Sequence, residues 1–333
     1  RYFWHVLEPK TELKEDWPLY AICDHLEAVT RGEIRRLLMN VPPGFMKSLL
    51  TNVFWPAWEW SAAGKSDRRY VTFSYASSLT ERDNGRFALL LRSHDFQEMW
   101  GHAFELTKVG EVKVANDKTG WKLASSVGGV GTGERGDVVL VDDPHNVKTG
   151  ESEAVRSETV RWFRESLSDR FNNMETGSLI CIMQRVHELD VAGTIISNEK
   201  MNYVHLMIPM EHDVLRHGRT PIGWEDPRRE DYELAWPNRF PPQVVEQLKA
   251  DKGPYAYAAQ YQQEPQPRGG GIFRREWWQL YKLDAKGKPL RPPHYMVASL
   301  DPAYSNKEEN DPSGFTVWGI FKDDDGRDKV ALI

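Results

Sequence analysis

Short apolar runs alternate along this chain with longer segments of helical spacing. IRRLLMNV (34–41) is continuous enough for a strand buried on both faces, and it stops at Pro42-Pro43. Residues 19–28 place apolar side chains at helical spacing before it. SLLTNVFWPAWEW (48–60) is too long for one strand and predicts a helix kinked at Pro56. YVTFSYA (70–76) alternates as a strand, and LTERDNGRFALLLRS (79–93) returns to helical spacing. FELTKVGEVKVAND (104–117) reads as a hairpin, and DVVLVDDP (137–144) as a short strand closed by two carboxylates and a proline. GESEAVRSETVRWFRESLSDRF (150–171) predicts a charged helix. SLICIMQRVHE (178–188) and NYVHLMIP (202–209) predict two more buried strands. Residues 211–240 are rich in Pro, Arg and Asp without a clear period and predict an irregular excursion, followed by a helix over 242–263. Strands alternating with helices imply an α/β layer around a mostly parallel sheet.

The Pro and Gly cluster QEPQPRGGGIF divides the pattern. The expected organisation is a domain over 1–264, a linker over 265–272 and the start of a second domain over 273–333. In the latter, HYMVASLDPAY and GFTVWGIFKDDDGRDKVALI read as strands, the last two joined at an Asp-Gly turn. There is no internal repeat.

Composition changes little. The 333 residues are 40% hydrophobic and 28% charged, ordinary for a globular protein, and no run of about 18 apolar residues is present to span a bilayer. RYFWHVLEPK lacks the pattern of a secretion signal, so an intracellular protein is expected. Two cysteines far apart in sequence support neither a disulfide scaffold nor a thiolate zinc site. A net charge of −6 argues against a uniformly basic nucleic-acid coat but leaves a local patch open.

Three signals compete for a phosphate. VPPGFMKSLL lacks both glycines of the strict pattern G-x-x-x-x-G-K-[ST], since Val41 and Met46 stand at their positions. Its context survives: a buried strand, a Pro-Pro-Gly turn, then Lys-Ser at a helix start, where free N–H groups and the helix dipole hold anions. Lys47 would reach the β- and γ-phosphates and Ser48 would hold Mg²⁺. Pro43, Gly44, Phe45, Met46 and Leu49 complete the expected cradle. Gly64-Lys65-Ser66 spells the expected tripeptide but sits between a helix and a strand, so Gly64 is expected to end the helix in a left-handed cap. GTGERG (131–136) satisfies the dinucleotide fingerprint by letter, yet it precedes a strand instead of opening a helix, so the pyrophosphate would find no helix N-terminus.

VVLVDDP supplies the loop's partner. In phosphate-loop NTPases a strand-end carboxylate stands beside Mg²⁺ and the next one polarises the attacking water, roles that fall to Asp142 and Asp143. Arg135, in the glycine-rich segment before that strand, is placed to stabilise transferring phosphate charge; a plain surface arginine is the alternative reading. Gln184 and Arg185 emerge at the end of a third strand, where polar groups would face the γ-phosphate and sense hydrolysis.

The order PPGFMKS, SYASSLT, GGVGTGERGDVVLVDDPHN, IMQRVHELDVAG, YQQEPQPRGGGIF and SLDPA resembles the large terminase subunit of tailed bacteriophages over nearly the whole chain. The resemblance implies a RecA-like additional-strand P-loop ATPase followed by an RNase H-like nuclease. It implies a motor subunit that hydrolyses ATP to drive double-stranded viral DNA into procapsids, working as a homo-oligomeric ring on the portal protein with the small terminase subunit. Its cofactors would be ATP with Mg²⁺, and Mg²⁺ or Mn²⁺ in the nuclease. Its place would be the host cytoplasm and not the mature virion, and it needs no membrane.

By the same resemblance, Lys47 and Ser48 match the phosphate-loop lysine and hydroxyl, Asp142 the Mg²⁺ carboxylate and Asp143 the catalytic carboxylate, a position usually held by Glu. Gln184 and Arg185 match the region coupling hydrolysis to movement, and Trp17 and Tyr20 the aromatic segment over adenine. Asp301 matches the first nuclease carboxylate, with Asp311 a candidate outer helper; the later acidic motifs would lie beyond Ile333. The chain is therefore expected to be C-terminally truncated and to cleave DNA little or not at all. Another P-loop translocase or helicase-like ATPase, a small-molecule kinase and a structural capsid partner are the rival readings. The first would need a second RecA-like domain, the second a lid over an acceptor pocket, and the third neither carboxylate after VVLV.

Overall fold

The computed structural model describes residues 1–129, 133–167, 169–266, 292–301, 314–323 and 325–332; for Asp301 and Gly314 only the backbone is described. The chain divides into two compact units, Arg1–Gly270 and Gly271–Ile333.

The first unit is built on an eight-stranded sheet. Its strands are β1 (Arg36–Asn40), β2 (Arg69–Ser74), β3 (Leu106–Lys108), β4 (Lys113–Asn116), β5 (Trp121–Ser126), β6 (Val138–Asp142), β7 (Ser178–Met183) and β8 (Val204–Met207). They lie in the order β3-β4-β5-β2-β6-β7-β1-β8. From β5 to β8 all neighbours are parallel, and β3 and β4 add an antiparallel edge. The apolar runs explain the centre of the sheet. On β1, Leu37 and Met39 face one core while Leu38 faces the other; on β6, Val138 and Leu140 oppose Val139 and Val141. Strands buried on both faces need uninterrupted apolar sequence, which is what these segments have.

One face is covered by α2 (Trp17–Arg31), the helical run after β1, and α5 (Ser77–Arg92). The other is covered by α7 (Glu153–Ser166) and α8 (Val191–Ile196). The shorter α1 (Tyr2–Leu7) and α6 (His94–Trp100) meet through Phe3, Phe96 and Trp100. Residues 211–240 are irregular apart from a 3-10 turn at Val214–Arg216, and α9 (Pro242–Gln260) follows, broken at Gly253 by a φ of +72°.

Four departures from the sequence reading have physical causes. β5 was not anticipated, because WKLASS carries Lys122 at a fully buried position and so breaks the apolar run. The helix over 48–60 is α3 (Lys47–Leu49), a π-helical segment (Leu50–Phe54) and α4 (Trp55–Trp60). The wide turn lies just before Pro56, whose ring and missing N–H disfavour a regular α turn there. That helix ends at Trp60; Gly64 is left-handed at φ +66°, but in the turn beyond it. The N-terminal residues, to which the sequence pattern assigns no element, form α1, held by buried Trp4, whose Nε1 donates to the carbonyl of Thr11. No helix among the described residues is long and apolar enough to cross a membrane.

In the second unit β9 (Tyr295–Asp301), β10 (Gly314–Lys322) and β11 (Asp328–Leu332) form an antiparallel sheet in the order β11-β10-β9. The β10–β11 turn uses Gly326 at φ +74°.

Candidate functional site

Because β1, β7 and β6 are parallel, their carboxyl ends open on one edge of the sheet. β7 lies between the other two, with Asn40 opposite Met183 and Asp142 opposite Ile182. The turn leaving β1 runs through two left-handed residues, Gly44 at φ +82° and Met46 at φ +58°, before the helix begins at Lys47. A side chain at Gly44 would be strained at this φ, and its Cβ would lie 2.9 Å from the ring of Phe240, which would have to shift. Phe45 anchors the turn, buried between Phe240, stacked at 5.4 Å, and Trp236. Met46 occupies a conformation that a side chain adopts only at a cost of about 1–2 kcal/mol. The chain thus keeps the backbone path of a glycine without the glycine.

The result is a turn whose donors are unspent. No backbone N–H from Gly44 to Leu49 donates to a partner among the described residues. Lys47 is 7% exposed, and its Nζ lies 2.6 Å from Oδ2 of Asp143.

Asp142 ends β6, 5% exposed. Burial, then the neighbouring Asp143 charge, pushes its carboxyl well above the ordinary range; Lys47 and the Ser48 hydroxyl act against this. Its Oδ2 accepts from Nδ2 of Asn52 at 2.9 Å, and its Oδ1 is buried without a partner among the described residues. Asp143 turns the chain at φ +42°. Asp and Asn tolerate that region better than longer side chains, and here Oδ1 of Asp143 reaches across to the end of β7, accepting the N–H of Gln184 at 3.1 Å. The shorter carboxylate at this position has a backbone reason.

Lys47, Ser48, Asp142, Asp143 and Gln184, whose Oε1 is buried and has no partner among the described residues, therefore converge. Arg185 lies beside them but is committed elsewhere. Its Nε donates to both oxygens of Asp190 at 3.0 Å, its Nη2 to the carbonyls of His187 and Glu188, and its N–H to Gln263. Trp17 stacks on Trp224 at 6.2 Å and lies under the Arg228 guanidinium, while Tyr20 is exposed and hydrogen-bonded to Glu15 and Arg1. Among the described residues, neither makes a ring or hydrogen-bond contact with the loop. Arg135 is exposed, three residues past the undescribed 130–132. Asp301 ends β9 in the second unit; Asp311, part of GTGERG and most of the 265–272 linker fall outside the described residues.

Sequence reasoning missed Asn52, Asp83 and His145. Asp83 is a buried polar residue on the apolar face of α5, a signal that the sequence does hold, whereas Asn52 is buried in the π-helical turn, where a regular helical period does not apply. His145 accepts the N–H of Val191 at Nε2, 3.0 Å away, and burial lowers its pKa to about 4.

The fold and site define an α/β protein in which an anion-receptive turn faces paired strand-end carboxylates. No family model matches the chain, and no curated protein matches it. Among solved structures it is similar, over nearly its whole length, to large terminases of bacteriophages. The HK97 bacteriophage large terminase is 15% identical with a TM-score of 0.49, over 98% of this chain and 64% of that one. The large terminase of a thermophilic bacteriophage, solved in complex with ATP-gamma-S, is 9% identical with a TM-score of 0.39, over 95% and 67%. The chain thus spans less than two thirds of the HK97 protein.

Proposed function

We propose that the first unit binds and hydrolyses ATP with Mg²⁺, as the motor domain of a viral DNA-packaging protein. The observation that carries this reading is the row of N–H groups from Gly44 to Leu49, unspent among the described residues, around buried Lys47 and facing Asp142 and Asp143. An anion is what such a turn is short of. The β- and γ-phosphates rest on these N–H groups and compete for Lys47 Nζ, drawing it from Asp143. Freed of that partner, Asp143 Oδ2 orients the attacking water and takes its proton, while Oδ1 keeps its bond to the Gln184 N–H. Movement of Asp143 is thereby felt at the start of the 184–190 turn.

The donor set fits Mg²⁺: the Ser48 hydroxyl lies against Asp142, whose Oδ1 is a buried acceptor without a partner among the described residues. Among the described residues no group of three or more His, Cys, Asp or Glu could hold a metal alone. The cation would be held by the Ser48 hydroxyl and Asp142, with phosphate oxygens and water as its further ligands. When bound, the cation neutralises charge on the phosphates.

The motif order and spacing support the wider reading: translocation of double-stranded DNA into procapsids by a ring of subunits on a portal, with the small terminase subunit, in the host cytoplasm. Arg135 serves phosphate charge, Arg185 holds the coupling turn, Trp17 and Tyr20 lie on the adenine side, and Asp301 is the first carboxylate of a metal-dependent nuclease. The test is Mg²⁺-dependent ATP hydrolysis by the chain and by Lys47→Ala and Asp142→Ala. Each substitution should abolish it; unchanged turnover in Lys47→Ala would remove the phosphate-loop assignment. For the motor, nuclease-protected DNA in procapsids should accumulate with the native protein and not with Lys47→Ala.

A further inference from the structure

Asn52 sits inside the π-helical turn that follows the loop, 1% exposed. Its Nδ2 donates to Oδ2 of Asp142 at 2.9 Å and approaches Oδ2 of Asp83 on α5 at 3.4 Å. Asp83 is buried, and its other oxygen accepts Nε and Nη2 of Arg82 at 3.0 and 2.8 Å. Two carboxylates on the nitrogen side leave the amide one sensible orientation, since the flipped form would set its oxygen against both. The Asn52 Oδ1 is then a buried acceptor without a partner among the described residues, and so is Oδ1 of Asp142. Two orphaned acceptors, on side chains already joined by a hydrogen bond, are costly unless something donates to them. Water bound to a divalent cation has only hydrogens to offer. π-helical turns recur where a helix must aim one side chain at a site.

We infer that Asn52 is a positioning residue of the cation site, its Nδ2 fixing Asp142, its Oδ1 accepting from a cation-bound water, and Asp83 holding the amide in place. This rests on the proposed ATP and Mg²⁺ site. It adds α5 to the elements that set the carboxylate's direction, through a contact that neither the lysine nor the paired carboxylates require.

The test titrates Mg²⁺ against the chain in the presence of ATP-gamma-S, read by calorimetry, with nucleotide binding also measured in EDTA. Asn52→Leu, of similar volume, should weaken apparent Mg²⁺ affinity about tenfold, as loss of a partner behind a metal ligand does, while affinity in EDTA moves less than about twofold. Asp83→Asn should weaken it about threefold and serves if Asn52→Leu does not fold. Unchanged Mg²⁺ affinity in a folded variant overturns the inference alone. Absence of Mg²⁺-dependent nucleotide binding by the unsubstituted chain overturns the ATP reading and the inference with it.

Discussion

Two turns at the same edge of the sheet do opposite things with their polar groups. Among the described residues, the turn after β1 leaves the N–H groups of Gly44 to Leu49 unspent, and holds its lysine against a carboxylate of another strand. The turn after β7 spends nearly everything within itself. Asp190 accepts both Arg185 and the N–H groups of Val186, His187 and Gly193, capping α8, while Arg185 takes two carbonyls of the same turn. Both end in residues that look functional in sequence. The difference teaches that charge at a strand end marks a ligand site where donors stay open, and a brace where they close on each other.

Turnover should separate the two most strongly. Asp143→Asn is expected to lower ATP hydrolysis about 10²- to 10⁴-fold while nucleotide binding holds or tightens, because Lys47 loses its competing partner. Filter binding beside a turnover assay checks this; parallel loss of binding and turnover would instead make Asp143 a structural anchor. Next in size is Arg185→Ala, expected to cost about 3–5 kcal/mol of stability because Asp190 is left charged and buried. Urea unfolding reads it, and a cost under about 1 kcal/mol would show that the turn is no brace.

A smaller effect depends on pH. His145 is neutral in the folded chain down to about pH 4 but takes a proton near pH 6.5 when unfolded, so the unfolded state binds more protons between those values. Its contribution is fully present above about pH 6.5 and is lost as pH falls toward 4. Between pH 7 and pH 5 the native chain should lose about 2 kcal/mol relative to His145→Gln, measured by urea unfolding at each pH. A constant difference would place a charged imidazole in the folded state. Smallest is Met46→Gly, which relieves about 1 kcal/mol of left-handed strain and should tighten ATP binding a few-fold by calorimetry. Unchanged affinity would mean that the loop already accommodates the methionine.

The central strands were legible because burial on both faces demands unbroken apolar sequence, as in β6 and β7. β5 was not, since Lys122 is buried there by bonds to Asn84 and Thr72 that a linear pattern cannot display. At the site, Lys47, Ser48, Asp142 and Asp143 were readable from strand ends and spacing. Met46 looked like a defect because letters do not carry φ, and Arg185 looked available because its partner, five residues on, reads only as a helix cap. Asn52 stayed hidden for a third reason. A period of 3.6 residues assumes a regular helix, and the π turn at Leu50–Phe54 departs from it.

The central claim is that the turn after β1 is open because it receives phosphate. A crystal structure of the chain with ATP-gamma-S and Mg²⁺ tests it most directly. The β- and γ-phosphates should lie within hydrogen-bond distance of N–H groups between Gly44 and Leu49, with Lys47 Nζ moved from Asp143 to a phosphate oxygen. Nucleotide bound elsewhere, with the 2.6 Å Lys47–Asp143 pair intact, would contradict the account.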